Sequence, residues 1–387
     1  MKLSKIIPYG RQSINADDIS SVKESLQNDF LTTGKYVKKF ERKIISFTKA
    51  RFAISCSSAT SGLHLSFLAI DLKKNDIVIM PAINFIAAYN IAKYMGAKIY
   101  LADVDSLSGQ MTPQSLLNCI NVNNLKKIKT VVTMYLGGYP ENVEEFYKIK
   151  KKLNFYLIED ACHALGAKYS VKKKKFHIGS CKHSDIAVFS LHPVKTITAG
   201  EGGVVTTNIK SLARRILLLR SHGIVRNKIK HWSYDINFIG FNYRLSDINC
   251  ALALSQMQRI KNFINKRYRI YKYYRKRFFQ NKNIDLPNYN LQTYPSCHLF
   301  IISFKGTKKI KENILLFLKK NKIKAQYHYI PIYKFKVFNH QLVNNVNFVN
   351  SEKYYNSTIS LPIFYDLSMK KCNFICDKIK FYLTKST

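Results

Sequence analysis

Lys195 stands in Phe189-Ser190-Leu191-His192-Pro193-Val194-Lys195, and the chain then runs Thr196-Ile197-Thr198-Ala199-Gly200-Glu201-Gly202-Gly203. A lysine between an apolar run and a glycine-rich segment is placed to lose hydration, and a desolvated amine is a nucleophile toward carbonyl carbon. Earlier, the apolar run Phe155-Tyr156-Leu157-Ile158 stops on Glu159-Asp160, which puts a carboxylate at the end of a core strand. This pair is what pyridoxal 5'-phosphate (PLP) requires. The amine forms a Schiff base with the cofactor's aldehyde, and the carboxylate keeps the pyridine nitrogen protonated so that the ring accepts electrons.

The elements that must position these two groups are legible. Short apolar runs recur at Phe52–Cys56, Asp76–Met80, Lys98–Leu101, Thr130–Met134, Phe155–Ile158, Ile186–Ser190 and Gly203–Thr207. Helical patterns separate the first five, around residues 60–70, 84–95, 112–120 and 141–152. Strands alternating with helices predict a largely parallel sheet covered on both faces. The sixth and seventh runs are too close for a helical crossover, so they are antiparallel or not adjacent.

Ligands of open α/β sheets bind beyond the carboxyl ends of strands. Ser58-Ala59-Thr60 follows the first strand and opens a helix, where free N–H groups and hydroxyls suit a phosphate. Phe85 follows the second strand and is placed to stack on a ring. Asp160 ends the fifth strand, and Ser190 and Lys195 end the sixth. Each has an ordinary reading by itself: an N-cap, a core aromatic, a helix cap. Their shared position at strand ends points to a site.

The rest of the chain is less specific. Asn15, Asp17 and Asp18 start a helix with Ile19, Val22 and Leu26 on one face. Val37, Phe40, Ile44 and Phe47 mark a second. Residues 246–280 read as an amphipathic connecting helix whose Arg259, Lys261, Lys266, Arg267 and Arg269 form a solvated basic face. Leu299–Phe304 and Lys324–Ile330 read as strands around a helix at 309–320, with a last helix at 369–383. A division into residues 1–245, the large cofactor-binding domain, and 246–387, a connecting helix and small C-terminal domain, follows.

The 387 residues carry a formal net charge of +40. That balance suits an acidic partner, but lysine, asparagine, isoleucine, tyrosine and phenylalanine are abundant together, as A/T-rich codons would make them. Compositional drift is favoured over a dedicated nucleic-acid surface. Lys172 to Lys175 falls where a hairpin tip between Gly166 and Gly179 would lie. The eight cysteines form no CxxC pair, so no metal site and a reduced, cytoplasmic setting are expected. No apolar stretch reaches transmembrane length, and Met1 to Pro8 lacks a signal-peptide core.

Several motifs together make the chain recognisable: Leu31-Thr32-Thr33-Gly34, Glu159-Asp160-Ala161-Cys162-His163-Ala164-Leu165-Gly166, the Lys195 segment, Arg220-Ser221-His222-Gly223, and Gly240-Phe241-Asn242-Tyr243-Arg244-Leu245. The sequence resembles the DegT-type sugar aminotransferases over nearly its whole length. The resemblance implies fold type I of the PLP-dependent transferases: an α/β/α large domain with a mixed, mostly parallel seven-stranded sheet and a smaller C-terminal α/β domain. Ser57-Ser58-Ala59-Thr60-Ser61, His163, Lys35 and the segment from Ala325 to Tyr333 are similar to the subgroup that aminates a UDP-linked 4-keto-6-deoxy-N-acetylhexosamine at C4, for pseudaminic acid.

By the same resemblance, Lys195 forms the Schiff base and shuttles the proton, and Asp160 pairs with the ring nitrogen. His163 sits near the 3-hydroxyl and Phe85 on the ring face. Ser58, Ala59, Thr60 and Ser190 hold the phosphate. Asn242 reaches it from a neighbouring subunit, which makes the active unit a homodimer with shared sites. L-Glutamate is the implied donor and a nucleotide sugar the acceptor. Tyr9, Thr33, His192, His222 and His328 are substrate-site candidates; for the three histidines a hydrogen-bonded core role stands beside the functional one. Tyr135-Leu136-Gly137-Gly138 departs from common relatives and receives no role. Other readings are a dTDP-linked or 3-keto sugar acceptor, a sugar dehydratase, against which Lys195 argues because those enzymes use histidine there, and a non-catalytic basic protein that binds nucleic acid or a membrane surface.

Overall fold

A computed structural model describes residues 6–227, 229–230, 232–290, 293–306, 308–338 and 345–385. The central sheet has seven strands: β1 (Phe52–Cys56), β2 (Ile77–Pro81), β3 (Lys98–Ala102), β4 (Ile128–Met134), β5 (Tyr156–Asp160), β8 (Ile186–Ser190) and β9 (Gly203–Thr207). The strands between them, β6 (Lys168–Val171) and β7 (Lys174–His177), pair as a separate hairpin whose tip carries Lys172 and Lys173. Spatial order in the central sheet is β1-β9-β8-β5-β4-β2-β3. β9 pairs antiparallel with both β1 and β8, while β2, β3, β4, β5 and β8 pair in parallel.

This order decides where chemistry sits. Gly203 opens β9 opposite Cys56, which ends β1, and opposite Ser190, which ends β8. Asp160 ends β5 beside Met134 and Val188. The strand-end residues therefore collect along one edge of the sheet.

Helices α3 (Ala59–Ala69), α4 (Ala87–Tyr94), α5 (Pro113–Val122), α6 (Val143–Leu153) and α7 (Lys210–Leu219) cover the sheet. α3 is apolar nearly all round and is buried from Ser61 to Phe67, as a helix enclosed on several sides must be. Its N-cap is a capping box: Ser58 Oγ accepts the Ser61 N–H at 3.1 Å, and Ser61 Oγ accepts the Ser58 N–H at 3.0 Å.

α1 (Ala16–Leu26) starts on a capping box of Asn15 and Asp18, but Ile19 and Leu26 face outward. The buried face is polar instead. Asp18 is fully buried and accepts from Ser255 and Gln256, each at 2.7 Å, and pairs with Arg259. A buried carboxylate needs such partners, and they lie on another helix that local periodicity does not reveal. α2 (Lys35–Thr48) buries Val37, Phe40 and Ile44; its first N–H groups, on Gly34 and Tyr36, donate to Asp247.

The region 246–280 is two helices, α8 (Asp247–Gln258) and α9 (Ile260–Phe278). Cys250, Ala251, Ala253 and Met257 of α8 join the core that lies under α2 and β8. Arg267 of α9 departs from the expected solvated face: it is 2% exposed.

The C-terminal part builds a three-stranded antiparallel sheet from β12 (Ile284–Asp285), β13 (Phe300–Phe304) and β14 (Thr358–Leu361). Residues 324–330 do not form the expected strand. They touch the sheet edge at a single bridge, Gln326 to Ser360, and turn inward. α10 (Lys308–Lys320), α11 (Val349–Ser357) and α12 (Met369–Lys385) complete this part, whose apolar core also takes in Ile7. A short pairing of β10 (Ile224–Arg226) with β11 (Tyr234–Ile236) projects exposed apolar side chains, among them Val225 and Ile236.

Candidate active site

The strand ends surround a cavity of about 380 Å³. Eleven of the fourteen sequence candidates line it: Ser58, Ala59, Thr60, Phe85 and Asp160 at or after the ends of β1, β2 and β5, and Tyr9, His163, Ser190, His192, Lys195 and His328 around the remainder. Thr33, His222 and Asn242 do not line it and are exposed. Their loops are joined to one another: Ser221 bridges Asn242, Thr32 bridges Ser246, and the Tyr243 carbonyl accepts the Ser57 N–H at 2.9 Å. These three residues thus lie on exposed loops, of which the one carrying Asn242 is tied to the segment before α3. A larger groove of about 800 Å³, between α2, the β6–β7 hairpin and α9, contains none of the candidates and no strand end of the central sheet.

The segment after β8 is tied down before and after Lys195. The Leu191 N–H donates to Gly202 O at 2.9 Å, and Leu191 O accepts from the Ala199 N–H at 2.9 Å and the Thr198 hydroxyl at 3.1 Å. The Lys195 N–H turns back to His192 O at 2.9 Å. Burial pulls the Lys195 amine down from its ordinary value; the fields of Cys162 and Asp160 oppose this, and that of Arg267 adds to it. Asp160, 3% exposed, is pushed up by burial and drawn back by its contacts with Cys162, whose N–H it accepts at 3.2 Å, and by the charge of Lys195. The amine and the carboxylate thus lie within each other's field around one cavity.

His163 is fixed at both ring nitrogens. Nδ1 accepts the Gly137 N–H at 3.2 Å, so the proton of the neutral ring belongs on Nε2, which faces the Tyr329 hydroxyl at 3.1 Å. Gly137 has φ +75°, a conformation that aims its N–H at the ring and favours glycine there. The Tyr135–Gly138 segment therefore has a part in the site that its sequence does not announce. Burial holds His163 well below the ordinary histidine range, with Lys195, His328 and Arg267 adding to the effect.

His328 Nδ1 meets Ser360 Oγ at 3.0 Å, and its ring lies 5.5 Å from that of Tyr9. Burial, then the charge of Lys195, lowers it to about 3. His192 is exposed at the cavity rim. Phe85 is 52% exposed, with its ring 5.7 Å from that of Tyr329.

Cys162, Glu201, His298 and Tyr329 also line the cavity. Cys162 and Glu201 sit inside the motifs already singled out, and Tyr329 follows His328. His298 carries no local signal. Its N–H donates to Gly137 O at 2.8 Å, which brings its ring to 4.2 Å from that of His163, and its buried Nδ1 has no partner.

The residues fit PLP. The N-terminus of α3, with Ser58 and Thr60, offers donors to a phosphate. Gly203 leaves the approach open, since a Cβ there would stand 2.4 Å from Ser58 O. A buried acid and a buried amine share the cavity, and the orphaned His298 nitrogen remains free for a ligand. A lysine, a carboxylate and a helix N-terminus gathered at one edge of a seven-stranded mixed sheet are the arrangement of a PLP-dependent enzyme of fold type I.

The chain belongs to the DegT/DnrJ/EryC1/StrS aminotransferase family, whose pattern it matches over residues 12–380. It is 34% identical over 381 residues to the UDP-4-amino-4,6-dideoxy-N-acetyl-beta-L-altrosamine transaminase of Campylobacter jejuni, covering 98% of each chain. The Helicobacter pylori aminotransferase involved in the biosynthesis of pseudoaminic acid superposes with a TM-score of 0.89 at 28% identity, over 98% of this chain and 100% of that one. A Streptococcus pneumoniae sugar aminotransferase in its PLP form shares the fold, with a TM-score of 0.90 at 24% identity over 99% of this chain and 100% of that one. The protein is accordingly a PLP-dependent sugar aminotransferase, which decides between the enzyme and the non-catalytic binding protein. Among the described residues no helix is long and apolar enough to cross a membrane.

Proposed function

We propose that this enzyme moves an amino group from L-glutamate to C4 of a UDP-4-keto-6-deoxy-N-acetylhexosamine, making a UDP-4-amino sugar for surface-glycan synthesis of the pseudaminic acid type. The observation that carries the reading is the full-length similarity to the Campylobacter jejuni transaminase. Shared lengths of 98% on both sides leave no large insertion to remodel the acceptor site.

When bound, PLP supplies the electron sink and carries the amino group between the two halves of the reaction. The protein's own groups do the rest. Lys195 would attach the cofactor and, once free, would move a proton; burial lowers its amine from the ordinary value, which favours the neutral form that task needs. Asp160 would hold the proton on the ring nitrogen by its charge. Ser58, Ala59, Thr60 and Ser190 would take the phosphate, Phe85 would stack on the ring, and His163 would lie near the 3-oxygen. His192, His328 and Tyr9 meet the substrate. Thr33, His222 and Asn242 lie outside the cavity of their own chain, and we assign them to the site of a second copy in a homodimer, with Asn242 reaching the phosphate.

The test is an acceptor panel. Purified protein with L-glutamate should release 2-oxoglutarate fastest with the UDP-linked 4-keto-6-deoxy-N-acetylhexosamine. A higher kcat/KM for a dTDP-linked or 3-keto sugar would replace the acceptor named here.

A further inference from the structure

α9 buries Ile260, Phe263, Arg267, Ile270, Tyr274 and Phe278, one stripe at helical spacing. Five of these positions are apolar or aromatic, and the sixth is a cation. Arginine is almost never fully buried without a partner. Here no described carboxylate pairs with Arg267. Its two terminal nitrogens donate to four main-chain carbonyls from three separate segments, while its buried Nε has no partner. Nη1 donates to Ile363 O at 2.7 Å and His298 O at 3.3 Å; Nη2 donates to Val194 O at 3.4 Å and Lys195 O at 3.5 Å. Burial lowers it to about 10, so it remains charged at neutral pH.

We infer that Arg267 is a positioning residue that pins the backbone on either side of the Lys195 side chain to the C-terminal part of the chain, and so fixes where the amine enters the cavity. The inference rests on the proposed role of Lys195. A planar fork with donors in fixed directions reaches carbonyls on both sides at once; an ammonium is a single point and cannot. Carbonyl dipoles leave the charge unneutralised, so its field reaches Lys195, His163 and His298 and favours the neutral form of each. Asp160 and Cys162 oppose this at Lys195. The same group therefore holds the lysine in place and keeps its amine nucleophilic.

The experiment follows the covalent attachment of PLP to the full-length apo protein by absorbance across pH. Borohydride reduction and peptide mass identify the lysine. The variants are Arg267→Met, Arg267→Lys and, as a control, Arg259→Met, whose arginine pairs with Asp18 and makes no bond to the Lys195 loop. Arg267→Met should attach PLP about 100-fold more slowly at pH 7: about tenfold from a pH–rate midpoint about one unit higher, since one unit is a factor of ten in neutral amine, and about tenfold from a lower plateau. Arg267→Lys keeps the charge, so its midpoint should stay while its plateau rate falls about tenfold. Arg259→Met should change neither. Wild-type rate and midpoint in Arg267→Met, or the same change in Arg259→Met, overturns the inference. Should Arg267→Met not fold, the plateau of Arg267→Lys decides, and an unchanged plateau overturns it. Attachment of PLP to some other lysine in the wild type would instead refute the role of Lys195, and the inference with it.

Discussion

Replacing Gly203 by alanine should loosen the cofactor while leaving its covalent chemistry intact. The added Cβ would stand 2.4 Å from Ser58 O, 2.5 Å from Ser58 C and 2.7 Å from Ala59 N. All three are backbone atoms, so no side chain can rotate away. Ordinary contact begins at 3.4 Å, so the start of α3 must retreat from β9 by about 1 Å. Gly203 does not have a left-handed backbone, so alanine adds no dihedral strain and the effect is purely steric. Overpacking of this kind costs about 1–3 kcal/mol of stability. A displacement of about 1 Å also takes N–H donors out of the range where they hold an oxygen. Affinity for PLP should fall about 10- to 100-fold, equivalent to about 1.4–2.8 kcal/mol. Titrating apo protein with PLP and following absorbance measures this, and saturating PLP should restore attachment to Lys195. Gly202→Ala is the control: its nearest neighbours are side-chain atoms, Leu191 Cδ1 at 3.1 Å and Ala199 Cβ at 3.2 Å, so a few tenths of an ångström suffice. Unchanged PLP affinity in Gly203→Ala, or a larger loss in Gly202→Ala, would refute the steric reasoning.

Asp160→Asn should bind PLP yet lose about 10²–10³ in kcat, with a smaller change in the KM for glutamate, because the lost charge acts mainly as electrons enter the ring. Steady-state kinetics checks the split; equal changes in kcat and KM would not fit. Glu159 points to the other side of β5, accepts from Tyr135 Oη at 2.9 Å and Gly179 N–H at 3.4 Å, and is pushed up by burial to about 7. The folded state thus holds this proton longer than the unfolded chain, so the contribution of Glu159 to stability is largest below pH 4.5 and is lost as pH rises to about 7. Glu159→Gln keeps an acceptor and removes the charge, so it should gain on the wild type by up to about 3 kcal/mol between pH 5 and pH 8 in urea unfolding. A difference that stays flat with pH would count against a buried, titrating Glu159.

The sheet and much of the site were legible because their signals are local. Apolar runs of strand length, the first five separated by helical periodicity, gave all seven central strands within a residue or two. The short link from β8 to β9 excluded a helical crossover, and the pair is antiparallel. Ser58, Asp160 and Lys195 were found because a strand end is visible in one sequence. What failed was also physical. The face of α1 was assigned from Ile19 and Leu26, yet Asp18 is buried because partners 237–241 residues away satisfy it. Arg267 looked like one more surface cation on a basic helix. Lys324–Ile330 has strand composition, but the edge of the small sheet takes only one bridge from it before it turns His328 inward.

The sequence by itself pointed to a lysine, a strand-end acid and a capped helix start at one edge of a parallel sheet, since each is written in a few adjacent residues. Only the folded chain decided which groups surround that lysine. His298 reaches His163 through a glycine carbonyl, Arg267 reaches the Lys195 loop from another helix, and Thr33 and His222 fall outside the cavity of their own chain, as does Asn242, which was expected at a neighbouring subunit's site. Such placements depend on the order of strands and the docking of distant helices, and a linear pattern does not encode distances between segments a hundred residues apart.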